Sequence, residues 1–251
     1  MTRWEPALPP GYESIVAGET TIIALASARS ALLAAAAHGT LYAFAQRHPD
    51  RRDLAGRGTA YAVPLPDGTR AVIRHNRHGG FLAPVTGDVF FSPTRAPHEL
   101  RVAARLASEN VCTPQILGVA IYPCAPLLAR SDVVSREIVG SRDLELLLLD
   151  SPSGSNNRRV ALDATANLFR ALRRAGARHA DLNLKNVLIG RDDVAYVIDV
   201  DRVSFHEPMS PAVAQANWRR FLRSARKWQT KGLKLADAEL VRLARDVEAA
   251  L

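Results

Sequence analysis

Lysine is missing from the first 184 residues: Lys185, Lys227, Lys231 and Lys234 are the four in the chain, against 29 arginines. Any cationic chemistry in the earlier part of the chain therefore falls to arginine, a planar fork of donors that stays charged, and not to the compact ammonium of lysine. Cysteine is nearly absent. Cys112 and Cys124 have no metal-ligand spacing and suit buried thiols in a reducing compartment. No long apolar run exists either. The longest low-charge stretch, Thr20 to Gln46, is interrupted by Arg29 and His38, whereas a spanning helix needs ~20 mostly apolar residues. Met1 to Pro6 lacks the apolar core of a signal peptide, so a cytosolic protein is expected. A repeat at solenoid period and a tail of like charge are also lacking.

What is present is the composition of a globular protein, with 47% hydrophobic and 23% charged residues, which excludes a disordered or fibrous chain. At ~150 residues per domain, 251 residues make one large domain or two smaller lobes. A net charge of +8 favours anionic partners: phosphates, nucleic acid or a lipid surface. An Arg-heavy, Ala-rich composition also follows from a GC-rich genome, so charge alone does not choose among them.

Residues 12–25 read as two short strands around Gly18-Glu19. Residues 27–38 read as a helix capped by Ser27 and stopped by Gly39. Gly58 to Val63, Ala71 to Arg74, Ile116 to Tyr122 and Val133 to Val139 read as strands, with a helix between Pro97 and Asn110. Beyond Gly140 the pattern turns helical over 142–150, 160–175, 212–229 and 235–250, interrupted by the strand pair Val187–Ile189 and Val194–Ile198. A strand-rich first part and a helix-rich second predict two lobes meeting near Gly140.

The chemistry-bearing residues gather around that strand pair. His179-Ala180-Asp181-Leu182-Asn183-Leu184-Lys185-Asn186 is a polar stretch immediately before the first strand, and Asp199 ends the second. Taking the centre of the hairpin at 192.5, Asn186 and Asp199 are equidistant from the turn and should face each other. An amide oxygen and a carboxylate at one end of a hairpin make a hard-oxygen site suited to Mg²⁺. Asp181 lies near enough to orient a hydroxyl and take its proton. Polar residues collect at the ends of many hairpins, so Asp199 alone carries little weight. The whole set, His-x-Asp-x-x-x-x-Asn followed 13 residues later by a strand-ending Asp, resembles the catalytic and metal-binding loops of the protein-kinase-like fold.

That likeness makes demands on the first half. Gly56-Arg57-Gly58-Thr59 supplies a Gly-x-Gly turn whose backbone N–H groups can approach phosphate oxygens, though such a turn also occurs in ordinary hairpins. Ala71-Val72-Ile73-Arg74 resembles Val-Ala-Ile-Lys with arginine in the lysine position, which the absence of early lysines requires. On the helix after Pro97, Glu99 shares a face with Val102, Ala103 and Leu106. A carboxylate in an apolar stripe calls for a cation, and Arg74 is the natural one. Taken alone, Glu99 equally suits a first helical turn, complementing its dipole.

With both halves in view the chain resembles the bacterial lipopolysaccharide kinases, nearest to those that act on 3-deoxy-D-manno-octulosonic acid (Kdo). Carrying the likeness are Gly56–Thr59, Val72-Ile73-Arg74-His75 with Arg77-His78-Gly79-Gly80, His179 to Asn186, and Ile198-Asp199-Val200-Asp201-Arg202, with weaker support from Glu137 to Leu144. The resemblance covers about Ala55 to Trp228. It implies an α+β, bilobal protein-kinase-like fold: a 1–50 extension of unknown role, a 51–140 N-lobe with an antiparallel sheet and one main helix, and a mostly helical 141–251 C-lobe. The implied activity is transfer of the ATP γ-phosphate to a sugar hydroxyl, in this family the 4-hydroxyl of Kdo on a lipid A precursor. Asp181 would be the catalytic base, with Asn186 and Asp199 holding Mg²⁺. Gly56, Arg57, Gly58, Thr59 and Arg74 would lie on the phosphates, Glu99 would position Arg74, and backbone groups of Glu137 to Val139 would hold the adenine. Asp201 is read as a neighbouring carboxylate and not a ligand. Ala180, where regulated protein kinases carry Arg, and Asp199-Val200-Asp201 in place of Asp-Phe-Gly fit a small-molecule kinase with no phosphorylated activation loop.

Asn217 to Lys234 holds seven basic residues and no acidic one. On a helix, Trp218, Phe221, Leu222, Ala225 and Trp228 fall on one side, while Arg219, Arg220, Arg223, Arg226 and Lys227 fall on the other. The first face suits the core, although an interfacial helix with Trp outermost is the alternative. The second would attract an anionic membrane, predicting peripheral association on the cytoplasmic side of the inner membrane. Two other readings stay open: a small-molecule kinase of the aminoglycoside or choline phosphotransferase kind, and a pseudokinase that binds nucleotide or anionic glycolipid. No RNA-binding module is recognisable, so nucleic acid is not an expected partner.

Overall fold

A computed structural model describes residues 7–54, 60–76, 87–91 and 94–248. Both the Gly56–Thr59 turn and the Arg77–Gly80 segment therefore lie outside the described residues. The chain forms two compact units, residues 1–104 with 115–137, and residues 105–114 with 138–251.

The first unit is built on an antiparallel sheet. Its strands are β1 (Tyr12–Ala17), β2 (Thr20–Leu25), β3 (Arg52–Leu54), β4 (Ala60–Pro64), β5 (Arg70–His75), β6 (Phe90–Phe91), β7 (Ile116–Ala125) and β8 (Leu128–Arg136). They are ordered β1-β2-β7-β8-β5-β4-β3, with β6 added to β8. Residues 12–47 are part of this sheet unit. β2 pairs with β7 through Thr21↔Ile121 to Ala24↔Gly118. Two helices, α1 (Arg29–Ala36) and α2 (Leu41–Arg47), bring Leu32 and Leu41 into one core with Ile22, Ile73, Leu117 and Val134. Gly118 permits that closeness: a Cβ there would sit 2.6 Å from Leu32 Cδ1 and 2.8 Å from the Ile23 carbonyl oxygen.

Local boundaries differ from expectation in places. A 3-10 turn, Ala26–Ala28, precedes α1, and no side chain caps that helix, so Ser27 is not its cap. The seven residues of α2 are too few for a helical stripe to show in the sequence; its start is capped by Thr40, whose side chain accepts from the Ala43 N–H at 3.0 Å. β8 runs from Leu128 and ends at Arg136, so the expected strand at 133–139 is displaced towards the N-terminus. Across the sheet, a third helix, α3 (Ala96–Ser108), buries Glu99 in its first turn together with Leu100, Val102, Ala103 and Leu106.

The second unit is mostly helical: α4 (Leu144–Asp150), α5 (Asn156–Arg174), α6 (Pro211–Gln229) and α7 (Asp237–Glu248). Short strand pairs interrupt it. β10 (Ala177–His179) pairs β13 (Val203–Phe205), and β11 (Val187–Ile189) pairs both β9 (Arg142–Asp143) and β12 (Ala195–Val197). Phe221 of α6 packs edge-on against Phe169 of α5 at 5.2 Å, which fixes α6 with its aromatic face inward. Arg158 of α5, 1% exposed, ties three helices together. It is bidentate to Glu239 of α7 at 2.7 and 3.0 Å and donates to the Leu148 carbonyl at 2.7 Å.

Candidate active site

The β11–β12 hairpin is one residue tighter than the sequence arithmetic suggests. Val187 faces Val197 and Ile189 faces Ala195, so Asn186 lies opposite Ile198, whose N–H donates to the Asn186 carbonyl at 3.0 Å. The cause is the turn. Gly190 and Val194 close it with a 2.9 Å hydrogen bond, and Asp193 takes a left-handed φ of 58°, the geometry of a three-residue hairpin tip. Asp199 follows one position beyond the pairing expected for it, and itself adopts φ 60°. A non-glycine residue there is uncommon, and such backbone strain concentrates at functional sites.

The loop from His179 to Asn186 is pinned on every side. Leu182 and Leu184 are fully buried anchors. The Asp181 carbonyl accepts the side-chain amides of Asn183 and Asn186, each at 2.9 Å. Asn183 Oδ1 in turn accepts the Lys185 N–H at 2.9 Å, capping the 3-10 turn Leu184–Asn186. His179 is buried, and its Nδ1 accepts the Asp181 N–H at 3.1 Å. The ring proton therefore sits on Nε2, 3.1 Å from the Ile198 carbonyl. Burial holds the imidazole below its ordinary pKa, which keeps it neutral and able to play both roles.

Three residues of α6 complete this support, and sequence reasoning assigned none of them. Asn217, 1% exposed, accepts the His179 N–H and donates to the Ala177 carbonyl, both at 2.9 Å. Ser224 Oγ accepts from the Leu184 N–H at 3.4 Å. Arg220 forms an ion pair with Asp181, donating from Nη2 to Oδ1. Arg220 therefore does not belong to the solvated basic face expected for it. The available signal was the pair of small polar residues, Asn217 and Ser224, seven apart on an otherwise apolar stripe.

Asn186 and Asp199 suit a hard cation. The Asn186 amide nitrogen is occupied by Asp181, which leaves Oδ1 as its unengaged end. Among the described residues no hydrogen bond or ion pair is made by the Asp199 carboxylate. An amide oxygen and a carboxylate are donors that Mg²⁺ accepts. No group of three His, Cys, Asp or Glu side chains among the described residues offers a metal site elsewhere.

In the first unit the structure brings Arg74 and Glu99 together as an ion pair through Arg74 Nη2. The other arm of the guanidinium, Nη1, donates to Asn76 Oδ1 at 2.9 Å. Glu137 ends this unit with its carboxylate held by Arg52 and Arg70, and its N–H donates to the Arg70 carbonyl at 3.0 Å. That N–H is not available to an adenine, unlike the Glu137 carbonyl. Val139, which begins the other unit's chain segment with Ile138, is 53% exposed. Gly56, Arg57, Gly58 and Thr59 fall outside the described residues.

Comparison with known proteins converges on one group. The model of the lipopolysaccharide kinase (Kdo/WaaP) family matches residues 46–244. A 3-deoxy-D-manno-octulosonic acid kinase of Vibrio cholerae serotype O1 is 28% identical over 177 residues, covering 68% of this chain and 72% of that protein. One from Stenotrophomonas maltophilia R551-3 is 30% identical over 195 residues, covering 76% and 75%. Among solved structures, WaaP in complex with acyl carrier protein superposes with a TM-score of 0.54 at 18% identity, over 79% of this chain and 78% of that one. That likeness establishes a shared kinase-like fold.

Proposed function

The chain belongs to the lipopolysaccharide kinase (Kdo/WaaP) family, and from that premise we propose that it phosphorylates the 4-hydroxyl of Kdo on a lipid A precursor. It is a kinase of a lipopolysaccharide core sugar, using ATP. The observation that carries phosphotransfer to a hydroxyl is the Asp181 loop, while the choice of Kdo rests on the Kdo kinases to which the chain is similar. The backbone of that loop is fixed by His179, Asn183, Asn186 and Asn217, while Oδ2 of Asp181 meets no protein donor among the described residues.

In this reading Asp181 orients the acceptor hydroxyl through Oδ2. The hydroxyl oxygen bonds to the γ-phosphorus as the bond to the β–γ bridging oxygen breaks. The electron pair leaves with ADP, and the hydroxyl proton passes to Asp181. Arg74, held by Glu99 and Asn76, places a fixed fork of donors for phosphate oxygens. Asn186 and Asp199 would hold Mg²⁺, which when bound neutralises phosphate charge. The Glu137 carbonyl and the Val139 N–H would receive the adenine edge.

The lipid-linked acceptor calls for a protein that visits a membrane surface. None of the described helices is long and apolar enough to cross one. On α6, Arg219, Arg223, Arg226 and Lys227 are exposed and form no ion pair among the described residues, a set of charges worth ~1 kcal/mol each near an anionic surface. Trp228 is half-buried, with the ammonium groups of Lys185 and Lys231 over its ring at 5.1 and 4.8 Å. The helix therefore does not present Trp outermost, and peripheral contact with the cytoplasmic face of the inner membrane would be electrostatic. Charge reversal at Arg219, Arg223 and Arg226 is expected to abolish binding to anionic liposomes; unchanged binding overturns this contact.

The deciding assay combines Mg²⁺, γ-labelled ATP and a Kdo–lipid A precursor. Phosphate should appear on the sugar, and Asp181→Ala should reduce transfer by roughly 10²–10⁴-fold. Full transfer by Asp181→Ala removes the base from the mechanism. Nucleotide binding with neither transfer nor hydrolysis would make the chain a pseudokinase.

A further inference from the structure

We infer that Arg220 is the subsite for the carboxylate of the acceptor sugar, one arm of its guanidinium holding Asp181 while its remaining N–H groups receive the acid. The inference rests on the Kdo-kinase reading above, since it takes the acceptor to be a sugar acid. A carboxylate acceptor approaching a carboxylate base meets like charge, so the site needs a cation beside the base.

Within the second unit, Arg220 is the described cation that touches Asp181. Asn183, two positions after the base, is neutral and is used within the loop. Lys185, four positions after it, is directed elsewhere, 3.4 Å from the Glu145 carboxylate and over the Trp228 ring. Arg220 stands on α6 between Asn217 and Ser224, which hold the two ends of the same loop, so its position relative to Asp181 is fixed by three contacts along one helix.

The donors of Arg220 are incompletely used. Arginine offers five N–H groups in a rigid fork, and Asp181 Oδ1 is the one protein acceptor that meets this fork among the described residues. Arg158, the structural arginine of the same unit, differs. It is 1% exposed and its donors reach Glu239 and the carbonyls of Leu148, Ser151 and Lys234. Arg220 retains 25% side-chain exposure beside the base. A guanidinium with open donors at that place matches a carboxylate, which it can take in bidentate fashion.

The test compares a phosphate-free Kdo glycoside with its C1 carboxamide, each with wild type, Arg220→Gln and Arg220→Lys. Wild type should prefer the carboxylate by roughly 10- to 100-fold in kcat/KM, the range of a charged hydrogen bond. Arg220→Gln should lose that preference while its KM for ATP is unchanged, and Arg220→Lys should recover part of it. Equal use of both acceptors by wild type overturns the subsite without any variant. A preference retained in Arg220→Gln, with kcat lowered alike on both acceptors, reduces Arg220 to an anchor for Asp181. A change confined to the KM for ATP moves the guanidinium to the nucleotide phosphates. If wild type phosphorylates neither glycoside nor Kdo–lipid A precursor, the Kdo-kinase reading fails and takes the subsite with it; transfer to Kdo without discrimination sinks the subsite alone.

Discussion

His75 Nδ1 lies 2.6 Å from Oδ1 of the fully buried Asp132, and the opposite nitrogen, Nε2, lies 2.9 Å from Oδ2 of Asp88. One imidazole thus joins two carboxylates across the sheet of the first unit. Asp132 Oδ2 accepts the Tyr42 N–H at 2.8 Å and the Tyr122 hydroxyl at 2.9 Å, which links the start of α2 to the same cluster. Asp88 is also held by Arg130 at 2.9 Å. The Tyr42 ring covers the imidazole at 5.4 Å.

The hydrogen bond to Asp132 raises the His75 pKa, against the opposing effect of burial, with Asp88 adding to the rise. A folded-state pKa above the unfolded value of about 6.5 means that the imidazolium contributes stability fully below that pH. The contribution is lost as pH rises through the folded value. His75→Asn should lower stability by ~1–3 kcal/mol below pH ~6.5. The melting-temperature gap to wild type should then narrow at alkaline pH. Thermal melts from pH 6 to pH 9.5 check this, and a gap constant across that range would show that His75 acts uncharged. Asp88 has the opposite sign: burial pushes its carboxyl up, but the hydrogen bonds from His75 and Arg130 prevail and hold it low. Its contribution exists above the unfolded carboxylate pKa and disappears as pH falls through the folded one.

Arg74 engages Asn76 and Glu99 with separate arms of one plane, a geometry that an ammonium does not reproduce. Arg74→Ala is expected to lower kcat/KM for ATP by roughly 10–100-fold, and Arg74→Lys to restore only part of it. Glu99→Gln should raise the KM for ATP, because the fork loses its fixed partner. Steady-state kinetics at varied ATP decide the matter, and an unaffected Glu99→Gln would leave that carboxylate with only a helix-end role.

Removing Arg158 takes away the cation that pairs Glu239, which then keeps the Ala236 N–H, and takes a donor from the Leu148, Ser151 and Lys234 carbonyls, the last of which keeps the Ser153 hydroxyl. Arg158→Met should destabilise the helical unit by ~3–5 kcal/mol, the range for breaking one side of a buried pair. The melting point should fall by on the order of 10 °C. Arg158→Met with Glu239→Leu should recover part of that loss, since the remaining carboxylate is removed as well. A calorimetric scan of the single and double variants would show whether the pair or the carbonyl contacts dominate.

Much of the local structure was legible because it depends on neighbours in the chain. The strands at 12–17 and 20–25 and the helices at 156–174 and 211–229 follow from alternation, apolar stripes and turn residues. The turn at Arg191–Asp193 was harder to read: whether a hairpin tip holds three or four residues depends on one left-handed residue, Asp193, and shifts the partner of Asn186 by one position. Similarly, α2 has only seven residues, too short for its apolar pattern to stand out.

The sequence by itself determined which residue types could perform the chemistry. Asp181, Asn186 and Asp199 stand at fixed spacings around one hairpin, and the lack of lysine before residue 185 left arginine as the cation opposite Glu99. Only the tertiary structure decided which of the arginines on α6 is solvated and which meets Asp181, a contact 39 residues away in the chain. It also decided that residues 12–47 extend the sheet through β7 and supply its core helices. The physical reason is that periodicity specifies which face of an element is apolar, whereas an ion pair or a strand partner depends on where distant elements come to rest.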